Sequence, residues 1–452
     1  MVRIAPFAVE QYMGEYENTP GVINIAESCA DSVAINDLIQ LSKDPQRSPI
    51  DFGLKLTYGS VPGSQELREL VAAHCSHGPT QLSAEDIIIS QGAIGANFLA
   101  LYTLIHPGDH VICMYPAYQQ LYDVPRSVGA EVSFWRLRED EGFAYNIQDL
   151  RALIKDNTKM IIINNPNSPT GIVIPTEGLE QIAEIAKENG IILFSDEVYR
   201  PLFHGGTSEQ IDIPVPATAL SYEKTVVTGS MSKGFALAGI RIGWIATRDR
   251  TIMAAIASAR DYTTITVSQL DDQVASYALS PATQPSLVER NISLARNNIK
   301  ILRDFVEKHK SVCHWAEPKA GTTAFIRFSK GGEPVDDFKF CQDVLSKTHV
   351  YFCPGSYCFG GGDDFKGYVR IGELLAVKVS SSKFYLTVVT HGGYNFVPCP
   401  NSKNLKKTSW SVWVYNNIDN PGGNKNWTSF TLKAVDLIKP VGCKYYAIQP
   451  GE

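Results

Sequence analysis

The chain has 452 residues, of which 19% are charged, and its formal net charge is −6. This length is sufficient for two or three domains with large cores. The small negative charge gives no electrostatic basis for binding nucleic acid or an anionic membrane, so we expect neither partner.

The N-terminus carries Arg3, Glu10, Glu15 and Glu17 without a continuous apolar run, which is not typical of a signal peptide. The longest apolar stretch, 93–105, is too short to cross a bilayer. The nine cysteines include no C-x-x-C pair, which indicates neither a disulfide framework nor a metal site. We therefore expect a cytoplasmic protein with reduced thiols and no bound metal.

Residues 1–50 are predicted to form an arm and part of a small domain. The segment 22–31 follows a Pro-Gly turn and contains Glu27, which either faces a ligand or lies in solvent. The stretch 56–68 then reads L-T-Y-G-S-V-P-G-S-Q-E-L-R, a turn that leads into a helix. Tyr58 lies just before that turn.

A short apolar strand over 86–90 is followed by a small-residue turn and a helix with periodic leucines. The turn contains Gly92, Ala93 and Ile94. Backbone N–H groups in a turn between a strand and a helix point towards an anion, so this turn is a candidate anion site.

Apolar strands are predicted over 110–114, 160–164 and 191–195, and helical stretches such as 176–189 lie between them. This alternation predicts an α/β fold with a mostly parallel sheet. Such sheets bind ligands beyond the C-terminal ends of their strands. The candidate side chains there are Tyr118, Asn167, Ser168, Asp196 and Tyr199.

The segment 225–235 reads T-V-V-T-G-S-M-S-K-G-F, a β-branched run that leads into a hydroxyl-rich loop with one lysine, Lys233. A lysine amine is a nucleophile for Schiff-base formation when burial and nearby positive charge lower its pKa. Arg241 follows within G-I-R-I-G. Taken alone, the motif fits a surface-loop lysine equally well.

From about residue 286 a long polar helix, 287–308, leads into an α+β unit. That unit contains K-A-G-T-T-A-F (319–325), V-Y-F-C-P-G-S (350–356) and Y-V-R-I-G (368–372). The last motif presents Arg370, whose guanidinium can hold a carboxylate through two parallel hydrogen bonds. The alternative is a surface arginine on an edge strand.

The order N-P-x-x-P-T-G, D-E-x-Y, S-x-S-K-x-F and Y-x-R-I-G resembles the fold-type I aminotransferases (class I/II), which use pyridoxal 5'-phosphate (PLP). The resemblance runs from about residue 20 to 373. It implies a large PLP-binding domain over 51–285 and a small domain over 286–373. The loop A-E-S-C-A-D-S is similar to a less characterised branch related to aminocyclopropane-carboxylate synthase-like and capreomycidine synthase-like enzymes.

The resemblance also implies roles for the candidate side chains. Asp196 would pair with the pyridine nitrogen, Tyr118 would stack on the ring, and Tyr199 with Asn167 or Ser168 would contact the phenolic oxygen. The phosphate would be held by Gly92, Ala93, Ile94, Ser230, Ser232, Arg241 and, from the partner subunit of a homodimer, Tyr58. Tyr58 packed beside its own turn is the alternative.

The implied activity is transfer of the amino group of an α-amino acid to a 2-oxo acid, with Lys233 as the Schiff-base lysine. Arg370 and Glu27 would bind the amino acid. β- or γ-elimination, as in C–S lyases and aminocyclopropane-carboxylate synthases, and cyclisation are alternatives, because the first carbanion is shared. An inactive PLP-binding protein is a third interpretation.

Residues 374–452 depart from the family, whose members end in an amphipathic helix on the small domain. This tail is rich in β-branched and aromatic residues, has turn signals such as 420–423, and lacks a helical period. It is either a small β-rich appendage or a disturbed reading of the gene's end, and we favour the second. A missing terminal helix would weaken the small domain.

Overall fold

The computed structural model describes residues 4–17, 19–44, 46–205, 212–361 and 364–372, together with four short strands within 376–432. The helices are α1 Ala8–Tyr16, α2 Ile35–Leu41, α3 Gln65–His74, α4 Gly92–Leu104, α5 Gln120–Ser127, α6 Ile147–Ala152, α7 Thr176–Glu188, α8 Arg250–Arg260, α9 Gln269–Leu279, α10 Gln284–Lys308, α11 Asp337–Thr348 and α12 Gly355–Phe359.

The strands alternate with these helices through the first half of the chain. They are β1 Ile23–Asn24, β2 Ile87–Gln91, β3 His110–Tyr115, β4 Glu131–Arg136, β5 Thr158–Asn164, β6 Ile192–Asp196, β7 Thr225–Ser230, β8 Ile242–Thr247, β9 Cys313–Trp315, β10 Thr323–Lys330, β11 Glu333–Pro334, β12 Val350–Tyr351, β13 Cys353–Pro354, β14 Tyr368–Gly372, β15 Ala376–Val377, β16 Val388–Val389, β17 Trp410–Tyr415 and β18 Trp427–Leu432.

A seven-stranded sheet in the order β2-β8-β7-β6-β5-β3-β4 forms the centre of the large domain. All neighbouring pairs are parallel except the two that involve β8. The central strands β5, β6 and β7 are almost wholly buried. Apolar runs of this kind are expected where helices cover both faces of a parallel sheet. The predicted α/β fold with a mostly parallel sheet is confirmed.

A second sheet, with the path β11-β10-β14-β13 and β9 beside β10, lies within 313–372. Its neighbouring strands are antiparallel. β1 pairs in parallel with β12, so the N-terminal segment around residue 23 is joined to this C-terminal unit. The long helix α10 begins three residues before the predicted start, because Pro285 is tolerated in a first helical turn.

The tail contains two short antiparallel pairs, β15 with β16 and β17 with β18. The described part of the tail thus contains β-strands, and the turn signals at 420–423 lie outside the described residues. None of the helices in the described part of the chain is long and apolar enough to span a membrane.

Gly171 joins the large domain to the small one. Its carbonyl oxygen accepts hydrogen bonds from the backbone N–H groups of Lys319 (2.9 Å) and Ala320 (3.2 Å). Its φ is +68°, and a Cβ at this position would lie 2.3 Å from Pro318 Cβ. Only glycine satisfies both the left-handed backbone and the close approach.

We predict that Gly171→Ala destabilises the protein more than Gly190→Ala does. Gly190 has nearly the same φ, +66°, but no atom lies within 4 Å of the Cβ position. Both variants strain the backbone by about 1–2 kcal/mol, and only Gly171→Ala adds the steric clash, worth about another 1–3 kcal/mol. Thermal denaturation of both variants measures the difference, and equal midpoints would contradict the prediction.

Candidate active site

The predicted site residues gather at the C-terminal edge of the large sheet. Asp196 is the last residue of β6, and Lys233 follows β7. Tyr118 follows β3, and the loop with Asn167 and Ser168 follows β5. Parallel strands present their C-terminal ends on the same edge, so the topology converts separate motifs into one site.

Lys233 contacts a loop that is about 200 residues away in sequence. Its Nζ donates hydrogen bonds to Ser28 Oγ (2.7 Å) and Cys29 Sγ (3.3 Å). The Ser28 carbonyl accepts from Thr322 Oγ1 (2.6 Å), and the Ser28 N–H donates to Glu27 Oε1 (2.7 Å). Ser28 is therefore fixed from both sides. The residues predicted for the site include Glu27 of this loop but neither Ser28 nor Cys29.

The pKa of Lys233 is raised above its ordinary value, so the expectation of a lowered pKa is wrong for the free protein. Burial lowers the pKa, as expected, and Arg370 acts in the same direction. Cys29, Tyr199 and Glu27 raise it, and together they outweigh burial. The sequence does not reveal this effect because the loop that supplies Glu27 and Cys29 comes from the other end of the chain.

Asp196 is buried and held by two hydrogen bonds. Its Oδ2 accepts from Asn97 Nδ2 (2.9 Å) and its Oδ1 from the Val198 N–H (3.0 Å). Burial raises the pKa of Asp196 to about 6, against these hydrogen bonds, which lower it. Asn97 is in turn fixed by Thr228 Oγ1, which donates to Asn97 Oδ1 (2.6 Å). Asn97 was missed as a site residue, since its only signal was a polar residue in an apolar helix.

The small-residue turn forms a narrow cradle at the N-terminus of α4. Gly92 has a φ of +69°, and a Cβ there would lie 2.6 Å from Arg241 Nη2. A Cβ on Gly243 would lie 2.3 Å from the Gly92 carbonyl carbon. The backbone N–H groups of Ala93 and Ile94 follow in the first helical turn, where they have no carbonyl partner within the helix. The cradle is thus lined by N–H donors and one guanidinium.

Hydroxyl groups complete this cradle. Ser230 Oγ and Ser232 Oγ lie 2.7 Å apart, and Arg241 Nη1 donates to Ser232 Oγ (3.4 Å) and to the Ala238 carbonyl (2.8 Å). Two hydroxyls, a guanidinium and a helix N-terminus together favour a phosphate group. The cradle therefore fits the phosphate of PLP.

Tyr118 is enclosed by the N-terminal arm. Its ring packs against Phe7, with centroids 4.8 Å apart, and its hydroxyl donates to Glu10 Oε1 (2.6 Å). Burial and Glu10 raise the pKa of Tyr118, whereas Arg370 lowers it. Tyr199 is buried and close enough to Tyr118 to contribute to this shift.

Asn167 and Ser168 are both buried, but their side chains differ in what they contact. Asn167 Nδ2 donates to the Pro116 carbonyl (3.0 Å), and Asn167 Oδ1 accepts from Thr170 Oγ1 (2.6 Å). The Ser168 N–H donates to Asn164 Oδ1 (2.7 Å). The Asn167 amide thus shapes the loop, which leaves the Ser168 hydroxyl better suited to contact a ligand.

Arg370 is 4% exposed and lies on β14, next to the Glu27 loop. Its Nη2 donates to the Ala26 carbonyl (2.9 Å), while its buried Nε has no hydrogen-bond partner among the described residues. A buried, unpaired guanidinium N–H is costly and indicates a missing acceptor such as a carboxylate. The surface-arginine alternative is excluded.

Glu27 is fixed in its loop, with Oε1 accepting from the N–H groups of Ser28 (2.7 Å) and Cys29 (2.9 Å). Burial would raise its pKa, but Lys233, the Cys29 N–H and Arg370 lower it below the ordinary value. Glu27 is therefore an anion between two cations, and the solvent-facing alternative is wrong.

Tyr58 lies on the surface of its own chain. It is 78% exposed, which excludes packing beside its own turn. No group of three or more His, Cys, Asp or Glu side chains in the described ranges is arranged to hold a metal ion.

We predict that Asp196 makes the free energy of unfolding of the PLP-free protein fall as pH rises from about 4 to about 6. Since the pKa of folded Asp196 is about 6, above its ordinary value, protonation stabilises the folded state, and this contribution is lost as pH rises through 6. Asp196→Asn should therefore be more stable than the wild type at pH 8, by up to about 3 kcal/mol, and equal to it near pH 4. Denaturant titrations at both pH values test this, and a pH-independent difference would contradict it.

Two family models match the chain. The model for aminotransferase class I and II matches residues 33–372, and the model for PhiA-like secreted proteins matches residues 375–446. The boundary between the two matches coincides with the point at which the family resemblance stops.

Individual proteins agree with the first match. Capreomycidine synthase of Streptomyces vinaceus is 28% identical over 305 residues, covering 68% of this chain and 74% of that protein. An aspartate aminotransferase of Sulfolobus acidocaldarius is 32% identical over 216 residues, covering 47% and 53%. The crystal structure of a PLP-dependent aminotransferase from Streptococcus suis has a TM-score of 0.72 and 36% identity, covering 82% of this chain and 93% of that one. The chain thus belongs to the class I and II aminotransferase family of fold-type I enzymes, with PLP as its cofactor.

Proposed function

We propose that the chain is an aminotransferase that transfers the amino group of an α-amino acid to a 2-oxo acid. The observation that carries this proposal is that Lys233 and Arg370 both donate hydrogen bonds to the loop 26–29, while the Nε of Arg370 has no partner among the described residues. Arg370 supplies the site for an α-carboxylate, and Lys233 supplies the amine. Family membership supports the same chemistry.

Each residue has a role that follows from its contacts. Bound PLP supplies an electron sink that acidifies the Cα proton of the amino acid. We assign removal and return of that proton to Lys233 Nζ, with the Ser28 hydroxyl orienting the amine. Asp196, which accepts a hydrogen bond from Asn97, would pair its carboxylate with the pyridine nitrogen of PLP. Tyr199 and Ser168 are proposed donors to the phenolic oxygen.

We propose that the enzyme works as a homodimer in the cytoplasm. Large apolar side chains are exposed around Tyr58 and on α4, the helix whose N-terminus forms the phosphate cradle. They are Phe52, Leu56, Ile94, Phe98 and Tyr102. Exposed apolar groups of this kind mark an interaction surface, and a symmetric dimer would bring each Tyr58 to the partner's phosphate cradle. The free cysteines of the described region fit a reducing compartment.

A second candidate is a PLP-dependent elimination or cyclisation on an amino acid. The relative named capreomycidine synthase favours it, and so do Ser28 and Cys29, whose side chains touch the Lys233 amine. Groups at the reacting amine influence where protons go after Cα deprotonation.

We propose that residues 374–452 are a unit separate from the aminotransferase. The class I and II match ends at residue 372, and the PhiA-like match begins at residue 375. The tail therefore matches the sequence pattern of a different family.

Lys233→Ala should lose covalent PLP and lower turnover by about 10³-fold or more, because the nucleophile is removed. The visible absorbance of gel-filtered protein measures the first effect. Lys224→Ala, an exposed lysine one position before β7, is the matched control and should retain the band.

Product assays distinguish the two reactions. The wild type is incubated with each of a panel of amino acids, with and without a 2-oxo acid acceptor. Product that requires the acceptor supports transamination. Ammonia or a cyclic product formed without the acceptor would contradict it and favour the second candidate.

Tyr58→Ala and Lys233→Ala should restore each other when mixed. If Tyr58 serves the partner's site, a mixed dimer holds one intact site, and random exchange restores about a quarter of wild-type activity. Activity after subunit exchange is the measurement. Mass spectrometry verifies that mixed dimers have formed. If the mixture nevertheless stays inactive, Tyr58 does not cross the interface.

A further inference from the structure

The N-terminal helix α1 forms a wall of the active site. Gln119 fixes its start, with Oε1 accepting from the Ala8 N–H (2.8 Å) and Nε2 donating to the Pro6 carbonyl (2.8 Å). The buried face of α1 reaches the substrate arginine, since Met13 Sδ lies 4.0 Å from Arg370 Nη2. The N-terminal segment that contains α1 thus contacts Gln119, next to Tyr118, at one end and Arg370 at the other.

Glu10 lies one helical turn before Met13 on α1 and its carboxylate points to Tyr118. Its Oε1 accepts from the Tyr118 hydroxyl at 2.6 Å. Among the residues that the structure describes, no lysine, arginine or histidine forms an ion pair with Glu10. The carboxylate therefore has a neutral hydrogen-bond donor but no countercharge.

Glu10 and Arg370 act on the same groups with opposite sign. Glu10 raises the pKa of Tyr118 and Arg370 lowers it, and the two have the same opposed effects on Cys353. Arg370 has an unpartnered Nε for the α-carboxylate. The geometric link between Glu10 and Arg370 is α1, because Met13, one turn after Glu10, contacts Arg370.

The cations of the described site are already assigned. Arg241 lies in the phosphate cradle, Lys233 is the reacting amine, and Arg370 takes the α-carboxylate. These assignments leave none of the three for an acidic substrate side chain, whereas the arm and the 26–29 loop add the carboxylates of Glu10 and Glu27. Charge complementarity selects partners of the opposite sign.

We propose that Glu10 is a specificity-determining residue that selects amino acids with a positively charged side chain, ammonium or guanidinium. This inference rests on the proposed function, since it names the substrate class of that site. A charge-assisted hydrogen bond to Glu10 would be stronger than one to a neutral group.

The test measures binding, so that it does not depend on turnover. Lys233→Ala loaded with PLP is titrated with L-arginine and L-citrulline, and with L-lysine and L-norleucine, while the absorbance of the cofactor is followed. Within each pair the side chains are similar in size and differ in charge. We expect the charged member to bind about ten-fold more tightly, and we expect added salt to reduce this ratio.

Glu10→Gln in the same background should abolish the preference, because glutamine keeps an acceptor for Tyr118 and removes the charge. Glu15→Gln, an exposed carboxylate on the same helix, is the matched control and should leave the ratio unchanged. Equal binding of the charged and the neutral amino acid of each pair to protein with Glu10 intact would overturn the proposal. The proposal would also fail if the ratio of the two affinities survived Glu10→Gln, or if Glu15→Gln lowered that ratio equally.

Failure of this inference is distinguishable from failure of the proposed function. Wild-type protein that transaminates neutral or acidic amino acids, with no effect of Glu10→Gln on binding, overturns only the role of Glu10. Absence of transamination, together with a charge preference that Glu10→Gln removes, supports Glu10 and overturns only the aminotransferase assignment.

Discussion

The site depends on one short loop, 26–29, that connects two cations from different domains. The Ala26 carbonyl accepts from Arg370, and the Ser28 hydroxyl accepts from Lys233. The loop is packed so closely on β14 that a Cβ on Gly372 would lie 2.0 Å from the Glu27 carbonyl oxygen. The spacing between the amine and the guanidinium is thereby set by backbone packing rather than by flexible side chains.

Charge balance follows from that packing. Two buried cations in a low-dielectric site need an anionic neighbour, and the loop supplies the Glu27 carboxylate. Glu27 remains an anion because Lys233 and Arg370 counteract the effect of its burial on its pKa. In the PLP-free protein Lys233 is therefore held as a cation, and arrival of cofactor and substrate must redistribute these charges.

Asp196 presents the opposite case, a buried carboxylate whose pKa is raised because the nearby Lys233 and its hydrogen bonds do not offset burial. Burial dominates its pKa, and hydrogen bonds from Asn97 and Val198 compensate only in part. A carboxylate in this state gains from a cationic partner such as a protonated pyridine nitrogen. The hydrogen bonds from Thr228 to Asn97 and from Asn97 to Asp196 fix the orientation of the carboxylate towards that partner.

The sequence by itself determined the fold class, the family and the order of the site motifs. Those features depend on local patterns: apolar strands ending in polar residues, a Gly-rich turn before a helix, and a lysine in a hydroxyl-rich loop. Only the tertiary structure decided which groups touch Lys233 and Arg370, and it placed Asn97 against Asp196 and Glu10 against Tyr118. These contacts join residues that are tens to hundreds of positions apart, so no local pattern records them, and the pKa of a buried group depends on all its neighbours at once.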